Sequence, residues 1–350
     1  MDQQCIDFVR GAVFALIQRL SKFHSLHQAD VFRTFRRVLI QDSTQIRLAK
    51  HLARLFPGPA NQNRKKGAAL KIQTVYDLLG ESFPYFGLSG FTRTDQAASA
   101  DILSIAQSGD LVLRDLGYFS IRIFQRLLDR GVHFLSRLRH NVSISDPQTS
   151  KRLDLLKILR RQGRFDQVIL LGVEQQVPLR LVALPVAEQV ANERRRKAKN
   201  NRDKRLNPSK DHLELLGWNI FVTSVESSIW NSETVQQVYR VRWRIEIIFK
   251  SWKSHFNLTR TPTGSAVQVE ALIWAKLLAI CLFQKFLGCL ELYSPKHISL
   301  LKSAQFFPWL LTSSLMAPWA TRLSIEPILK HLQLEKRKIY SYHPNRHLLS

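Results

Sequence analysis

The stretch Val238 to His255, VYRVRWRIEIIFKSWKSH, constrains the fold more than any other, because its residues sort into two opposed helical faces. At 100° per residue, Tyr239, Arg242, Glu246, Lys250 and Lys253 fall within a stripe about 80° wide, with Glu246 near its centre. Val238, Val241, Ile245, Ile248, Phe249 and Trp252 collect opposite it over roughly 100°, a face suited to packing on a sheet. Trp243 and Ile247 lie beside the polar stripe. An ordinary solvated face would explain the Arg242–Glu246 and Glu246–Lys250 spacings as i,i+4 pairs, each worth a few tenths of a kcal/mol. Solubilising faces mix signs, however, whereas here one acid stands among three cations and a tyrosine.

Strands upstream supply further acids. Arg36 to Thr44, RRVLIQDST, has strand character and is expected to end in a polar turn, with Asp42 continuing the parity of Val38 and Ile40. Asp110 to Asp115 is a second such strand, with Asp115 behind Leu111 and Leu113. β-like runs at 69–78 and 83–91 and a short helix near 97–106 lie between them; a helix near 121–130 and a strand near 132–138 follow. The order is β-β-β-α-β-α-β, an α/β core. A strand at 218–225 then leads to the long helix, which begins after Asn231 with Ser232 as the expected N-cap. A single Asp at a strand end is usually a turn residue. Three acids converging on one sheet instead suit two divalent ions roughly 3.5–4 Å apart, which activate one oxygen and stabilise another in phosphodiester chemistry. The charge agrees: 52 Lys and Arg against 27 Asp and Glu leave +25, the composition of a polyanion binder.

The spacing Tyr239-x2-Arg242-x3-Glu246-x6-Lys253 resembles the YREK signature of DDE transposases of bacterial insertion sequences, in the IS-four branch. Asp42-Ser43-Thr44 is similar to that group's first-Asp motif, and Asp115-Leu116-Gly117-Tyr118-Phe119 to its second. The resemblance covers about residues 36 to 290. It implies an RNase H-like mixed sheet flanked by helices, a mostly β insertion domain and a helical C-terminal part. It further implies Asp42, Asp115 and Glu246 as the catalytic, metal-binding acids for two Mg²⁺ ions, with Mn²⁺ as a substitute. Tyr239, Arg242 and Lys253 would hold DNA phosphates, helped by Lys250, and Trp218 would stack on a flipped base, as suits a hairpin route. For Trp218 the alternative is a core aromatic on a strand. The implied partners are double-stranded DNA, at transposon ends and target, and a second copy of the chain in a homodimeric DNA complex.

The expected divisions are an N-terminal helical segment (1–35), core parts at 36–140 and 217–262, a β-rich basic insertion (141–216) and a helical region (263–350). Within the insertion, RRRKAKNNRDKR from Arg194 to Arg205 holds eight basic residues and one Asp. It is expected to be an exposed loop or frayed helix, with Arg194, Arg195, Arg196 and Lys197 as DNA contacts or as a merely solvated run. The apolar stretch Leu277 to Gln284, bracketed by Lys276 and Lys285, is short of the roughly 20 residues of a spanning helix, so a buried core helix and no membrane are expected. The start Met-Asp-Gln-Gln-Cys lacks a signal peptide's features, which points to a cytoplasmic product; the resemblance implies a bacterial, nucleoid-associated one. Cys5, Cys281 and Cys289 fit neither a disulfide framework nor a metal knuckle. Only 41 residues precede Asp42, fewer than in most relatives of that branch. The ends are then read by other surfaces, or the chain begins inside a longer reading frame. Two other readings stand beside a transposase: a DNA-binding remnant without chemistry, and an RNase H-like nuclease or resolvase that performs no strand transfer.

Overall fold

A computed structural model describes residues 2–20, 30–60, 66–200, 208–292, 300–301 and 303–308. In chain order the elements begin with α1 (Gln3–Leu20), β1 (Val38–Leu48), β2 (Pro57–Ala60), β3 (Lys66–Asp77), β4 (Ser82–Gly90) and β5 (Leu111–Arg114). They continue with α2 (Ile121–Leu128), β6 (His133–Arg137), β7 (Ile144–Ser145), α3 (Leu155–Gln162), β8 (Phe165–Leu171) and β9 (Val177–Pro185). The last are α4 (Glu188–Lys199), α5 (Lys210–Leu215), β10 (Trp218–Thr223), α6 (Ser232–Val241), α7 (Arg244–Ser254) and α8 (Ala266–Leu292). They form an α/β structure of two compact units, one drawn from residues 1–29, 43–93 and 243–350, the other from 30–42 and 94–242.

In the second unit the strand order is β1-β5-β6-β10-β9-β8-β7. The first three strands are parallel and the rest antiparallel. Val38 to Gln41 and all of β5 are buried, the near-continuous apolar pattern of parallel strands covered on both faces. A parallel pair needs a crossover, and α2 supplies it between β5 and β6. Its Ile123, Phe124 and Leu127 are buried, and Phe124 stacks on Phe134 at 4.3 Å.

β1 does not stop at Asp42. It runs on to Leu48, because Thr44, Ile46 and Leu48 restore a buried alternation beyond the two half-buried residues Asp42 and Ser43. The helix after Asn231 is capped by Asn231 itself, whose side chain accepts from the Thr234 N–H, while the Ser232 hydroxyl is drawn to Asp166. Among the described residues of 141–216 there is more helix than strand, and β8 and β9 extend the sheet through β10 rather than standing apart. The mostly β character expected there is corrected accordingly.

In the first unit β3 and β4 form an antiparallel hairpin, Leu70 opposite Gly90 and Asp77 opposite Ser82. Its aromatic side carries α7: Trp252 lies 5.2 Å from Phe83, 6.0 Å from Phe86 and 5.1 Å from Phe249. α1 packs against α8, with Phe14 and Trp274 5.8 Å apart. Of the N-terminal helical segment expected over 1–35, residues 21–29 lie outside the described ones, as do residues 309–350 of the expected helical C-terminal region. The apolar helix is not confined to residues 277–284. α8 is continuous for 27 residues, and its segment Ala266–Gly288 is long and apolar enough to cross a membrane by length and composition. Lys276 nonetheless bonds to the carbonyl oxygens of Asn257 and Arg260, and Cys281 is buried, which pushes its thiol up to about 12.

Candidate active site

Asp42 and Asp115 owe their nearness to strand register. Gln41 of β1 stands opposite Arg114 of β5 in the parallel pair, and the acids come next, Asp42 within β1 and Asp115 just past the end of β5. Asp115 keeps an extended backbone (φ −78°, ψ 162°) as the chain enters the short 3₁₀ turn Leu116–Tyr118. Both carboxylates face Arg242, which is 6% exposed: its Nη1 lies 3.4 Å from Asp42 Oδ2 and its Nε 3.8 Å from Asp115 Oδ1. These are loose ion pairs, longer than the usual charge-assisted hydrogen bond.

Tyr239, one helical turn before Arg242, places its hydroxyl 3.5 Å from Asp115 Oδ1, with the Arg242 guanidinium 5.9 Å from its ring. Burial pushes the Tyr239 phenol well above its ordinary range, against the opposing pull of Arg242, so the hydroxyl stays protonated and donates toward Asp115. Phe221 of β10 packs 5.0 Å from the Tyr239 ring and fixes its direction.

The single polar stripe expected along 238–255 is broken. α6 ends at Val241 and α7 starts at Arg244; between them Arg242 N–H donates to Tyr239 O and Glu246 N–H to Trp243 O, bonds that span three residues instead of four. Tyr239 and Arg242 therefore belong to the second unit, and Glu246, Lys250 and Lys253 to the first. Tyr239 and Arg242 are buried rather than on a solvated face, while Trp243 at the break is 57% exposed. On α7, Glu246 is half-buried in the first turn, where a helix dipole favours an acid, and Lys250 and Lys253 are exposed. Ile245, Ile248, Phe249 and Trp252 form its buried face, and Arg244 pairs with Glu81 at 2.7 Å.

Two carboxylates drawn to one cation are hard oxygen donors of the kind Mg²⁺ takes, so the acid pair fits a divalent ion by donor chemistry. Among the described residues no group of three His, Cys, Asp or Glu side chains is gathered closely enough to hold a metal.

Trp218 opens β10 half-buried, and its indole Nε1 donates to Gly163 O at 3.1 Å. Residues 194–199 are not a loop but the end of α4. Arg194 is committed inward, its Nη2 at 2.8 Å from Asn219 Oδ1, and burial, then Arg137, lowers its pKa. Arg195 pairs with Glu188 at 2.7 Å and Lys197 with Glu193 at 2.6 Å, whereas Arg196 and Lys199 are exposed. Residues 201–205 of the tract lie outside the described ones. Sequence reasoning passes over the polar residues preceding the acids, Gln41 and Arg114. Their signal is a polar residue at the end of each otherwise apolar strand.

The chain matches the family model described as a transposase DDE domain over residues 33–282. It is 29% identical over 300 residues to the transposase for insertion sequence element IS231C of Bacillus thuringiensis subsp. berliner, covering 80% of this chain and 62% of that one. It is 28% identical over 268 residues to the transposase for insertion sequence element IS1151 of Clostridium perfringens, covering 71% and 56%. The chain thus spans about three-fifths of the length of these curated relatives. Among solved structures, the piggyBac transposase synaptic complex with hairpin DNA aligns over 89% of this chain and 59% of that one, at 14% identity and a TM-score of 0.45.

Proposed function

The chain belongs to the transposase DDE domain family, and from that premise we propose that it cleaves DNA at the ends of an insertion sequence and joins them to target DNA. The observation that carries this reading is that Asp42 and Asp115 each directly follow one of the register partners Gln41 and Arg114 of adjacent parallel strands, and both turn to Arg242. Asp42, Asp115 and Glu246 are the residues we assign to divalent ions, two Mg²⁺ or Mn²⁺ in their place. Such ions supply activation of an attacking oxygen and stabilisation of a leaving one.

The chain's own residues set the rest. Tyr239, held protonated, donates to Asp115 and orients it. Arg242 neutralises the acid pair before DNA arrives and is placed to receive a phosphate. Lys250 and Lys253, exposed on α7, are assigned to DNA phosphates, and Trp218 offers a ring for an extruded base. We read 36–140 and 217–262 as an RNase H-like core with 141–216 inserted, α8 as the start of its C-terminal part, and the DNA-bound form as a homodimer. A cytoplasmic site of action at the nucleoid goes with that reading.

The test is a plasmid assay with cognate end DNA and Mg²⁺. Wild type should nick the ends and give joined product, and Asp42→Asn, Asp115→Asn and Glu246→Gln should each lose at least about 10²-fold. Unchanged activity in any one removes that residue from the triad. Nicking without joined product would make the protein a nuclease instead.

A further inference from the structure

Arg114 is fully buried directly before Asp115, yet it has no carboxylate partner among the described residues. Its Nη2 donates to Gln41 Oε1 at 3.0 Å, to Ser99 O at 2.8 Å and to Ser99 Oγ at 2.6 Å. Gln41 Nε2 in turn donates to Ala98 O at 3.0 Å, and Ser99 Oγ to Tyr118 O at 3.0 Å. One guanidinium therefore ties together β1, β5, the 3₁₀ turn Ala97–Ser104 and the turn that follows Asp115. Nε and Nη1 find no hydrogen-bond partner, and the rings of Tyr118 and Phe124, 5.8 and 6.0 Å away, are what the cation meets.

Burying a guanidinium without a counter-ion is costly, and an apolar residue of the same volume would fill the space without that cost. Desolvation lowers the Arg114 pKa to about 9, so the group remains charged at neutral pH. What an apolar residue would not do is bridge the two strands that carry the acids. Successive residues on a strand point to opposite faces, so Gln41 and Arg114 clamp from one face while Asp42 and Asp115 project from the other.

We propose that Arg114 is the positioning residue of the acid pair: through Gln41 and Ser99 it fixes the separation at which Asp42 and Asp115 present their carboxylates to a divalent cation. The inference rests on the metal-binding reading above. It differs from a purely structural role, in which loss of Arg114 would lower stability and leave the affinity of the folded protein for metal as it was.

The experiment measures Mn²⁺ binding to the full chain by electron paramagnetic resonance of the free ion, at a temperature well below each variant's Tm. Arg114→Met is expected to raise the Mn²⁺ Kd by about tenfold or more, the usual effect of removing a residue that orients ligands. Gln41→Met should do the same, and the double variant should be no worse than Arg114→Met alone, because both act through one link. Arg114→Lys, which keeps the charge and loses the fork, should not restore affinity. Wild-type Mn²⁺ affinity in folded Arg114→Met or in Arg114→Lys overturns the proposal, whatever the Tm. Should Arg114→Met not fold, Arg114→Lys and Gln41→Met decide the matter in the same way. Asp42→Asn is the control: Mn²⁺ binding that it leaves intact overturns the metal reading, and the inference with it. Binding lost in Asp42→Asn but kept in the Arg114 variants overturns the inference alone.

Discussion

Gln41 and Arg114 are register partners on adjacent parallel strands, and the residue after each is an acid that faces Arg242. The acid pair is thus set by the sheet and not by loops, and a one-residue slip of β1 against β5 would turn one carboxylate to the opposite face. It also means that two like charges share one buried cation.

That arrangement makes Arg242 a stand-in for external cations. Arg242→Met should lower Tm in EDTA, because the attraction that Arg242 exerts on both Asp42 and Asp115 is then lost. Added Mg²⁺ should raise the Tm of the variant by more than that of wild type. Ligand at 100 times its Kd stabilises by about 2.7 kcal/mol, enough to read by scanning calorimetry. Equal Mg²⁺-induced shifts in the two proteins would exclude this role.

On α4 the basic residues divide by commitment. Arg196 and Lys199 are exposed, whereas Arg194 is bonded to Asn219. The double variant Arg196→Ala/Lys199→Ala should bind duplex DNA with a salt dependence flatter by about 1.8 in log K against log salt, at about 0.9 for each phosphate no longer neutralised. Arg194→Ala should lower the unfolding midpoint and leave that slope as it is. Titrations at several salt concentrations separate the two, and a slope unchanged in the double variant would remove α4 from the DNA surface.

The strands bearing the acids are legible in the sequence because buried parallel strands are short unbroken apolar runs, and Val38–Ile40 and Leu111–Leu113 are such runs. The motif spacing from Tyr239 to Lys253 is legible too, but the continuous helix drawn through it is not what forms. Periodicity assumes an unbroken four-residue bond pattern, and it carries no information on the three-residue bonds at Arg242 and Trp243 that separate α6 from α7. Burial of Tyr239 and Arg242 escapes for a related reason: a polar residue is assigned to solvent until its partners are known, and here those partners come from Asp42 and Asp115, far away in sequence. The clamp of Arg114 on Ser99 is likewise a tertiary contact that no local pattern encodes.

Trp218 tests whether a ring or a hydrogen bond matters at the start of β10. Trp218→Phe keeps an aromatic face but loses the bond to Gly163 O, which should cost about 1 kcal/mol of stability. Trp218→Ala also loses the ring, and base stacking of about 1–3 kcal/mol with it. With 2-aminopurine at the end of the DNA, Trp218→Phe should quench its fluorescence as wild type does, and Trp218→Ala should not. Identical signals from both variants would leave Trp218 as a packing residue only.

Asp166 on β8 and Arg180 on β9 form a largely buried ion pair on the sheet's antiparallel side, and its loss should be felt in stability and not in chemistry. Arg180 Nε and Nη2 each lie 2.7 Å from the carboxylate, Arg180 Nη1 donates to Trp230 O at 2.7 Å, and the Ser232 hydroxyl at the start of α6 bonds Asp166 as well. Burial pushes the Asp166 carboxyl upward, but the hydrogen bonds from Arg180 and Ser232 outweigh it and hold the pKa below the ordinary carboxylate range. A carboxylate depressed in the folded state contributes stability that is present above its unfolded pKa and is lost as pH falls through the folded one. Asp166→Asn should therefore cost about 2–3 kcal/mol at pH 7, since it leaves Arg180 buried without its counter-charge. The gap from wild type should begin to narrow as pH falls below about 4, where the unfolded chain takes up a proton that the folded carboxylate, with its lowered pKa, still resists. Urea unfolding at pH 7 and pH 3 checks both statements, and a gap of the same size at the two pH values would show that the charge on Asp166 contributes nothing to the fold.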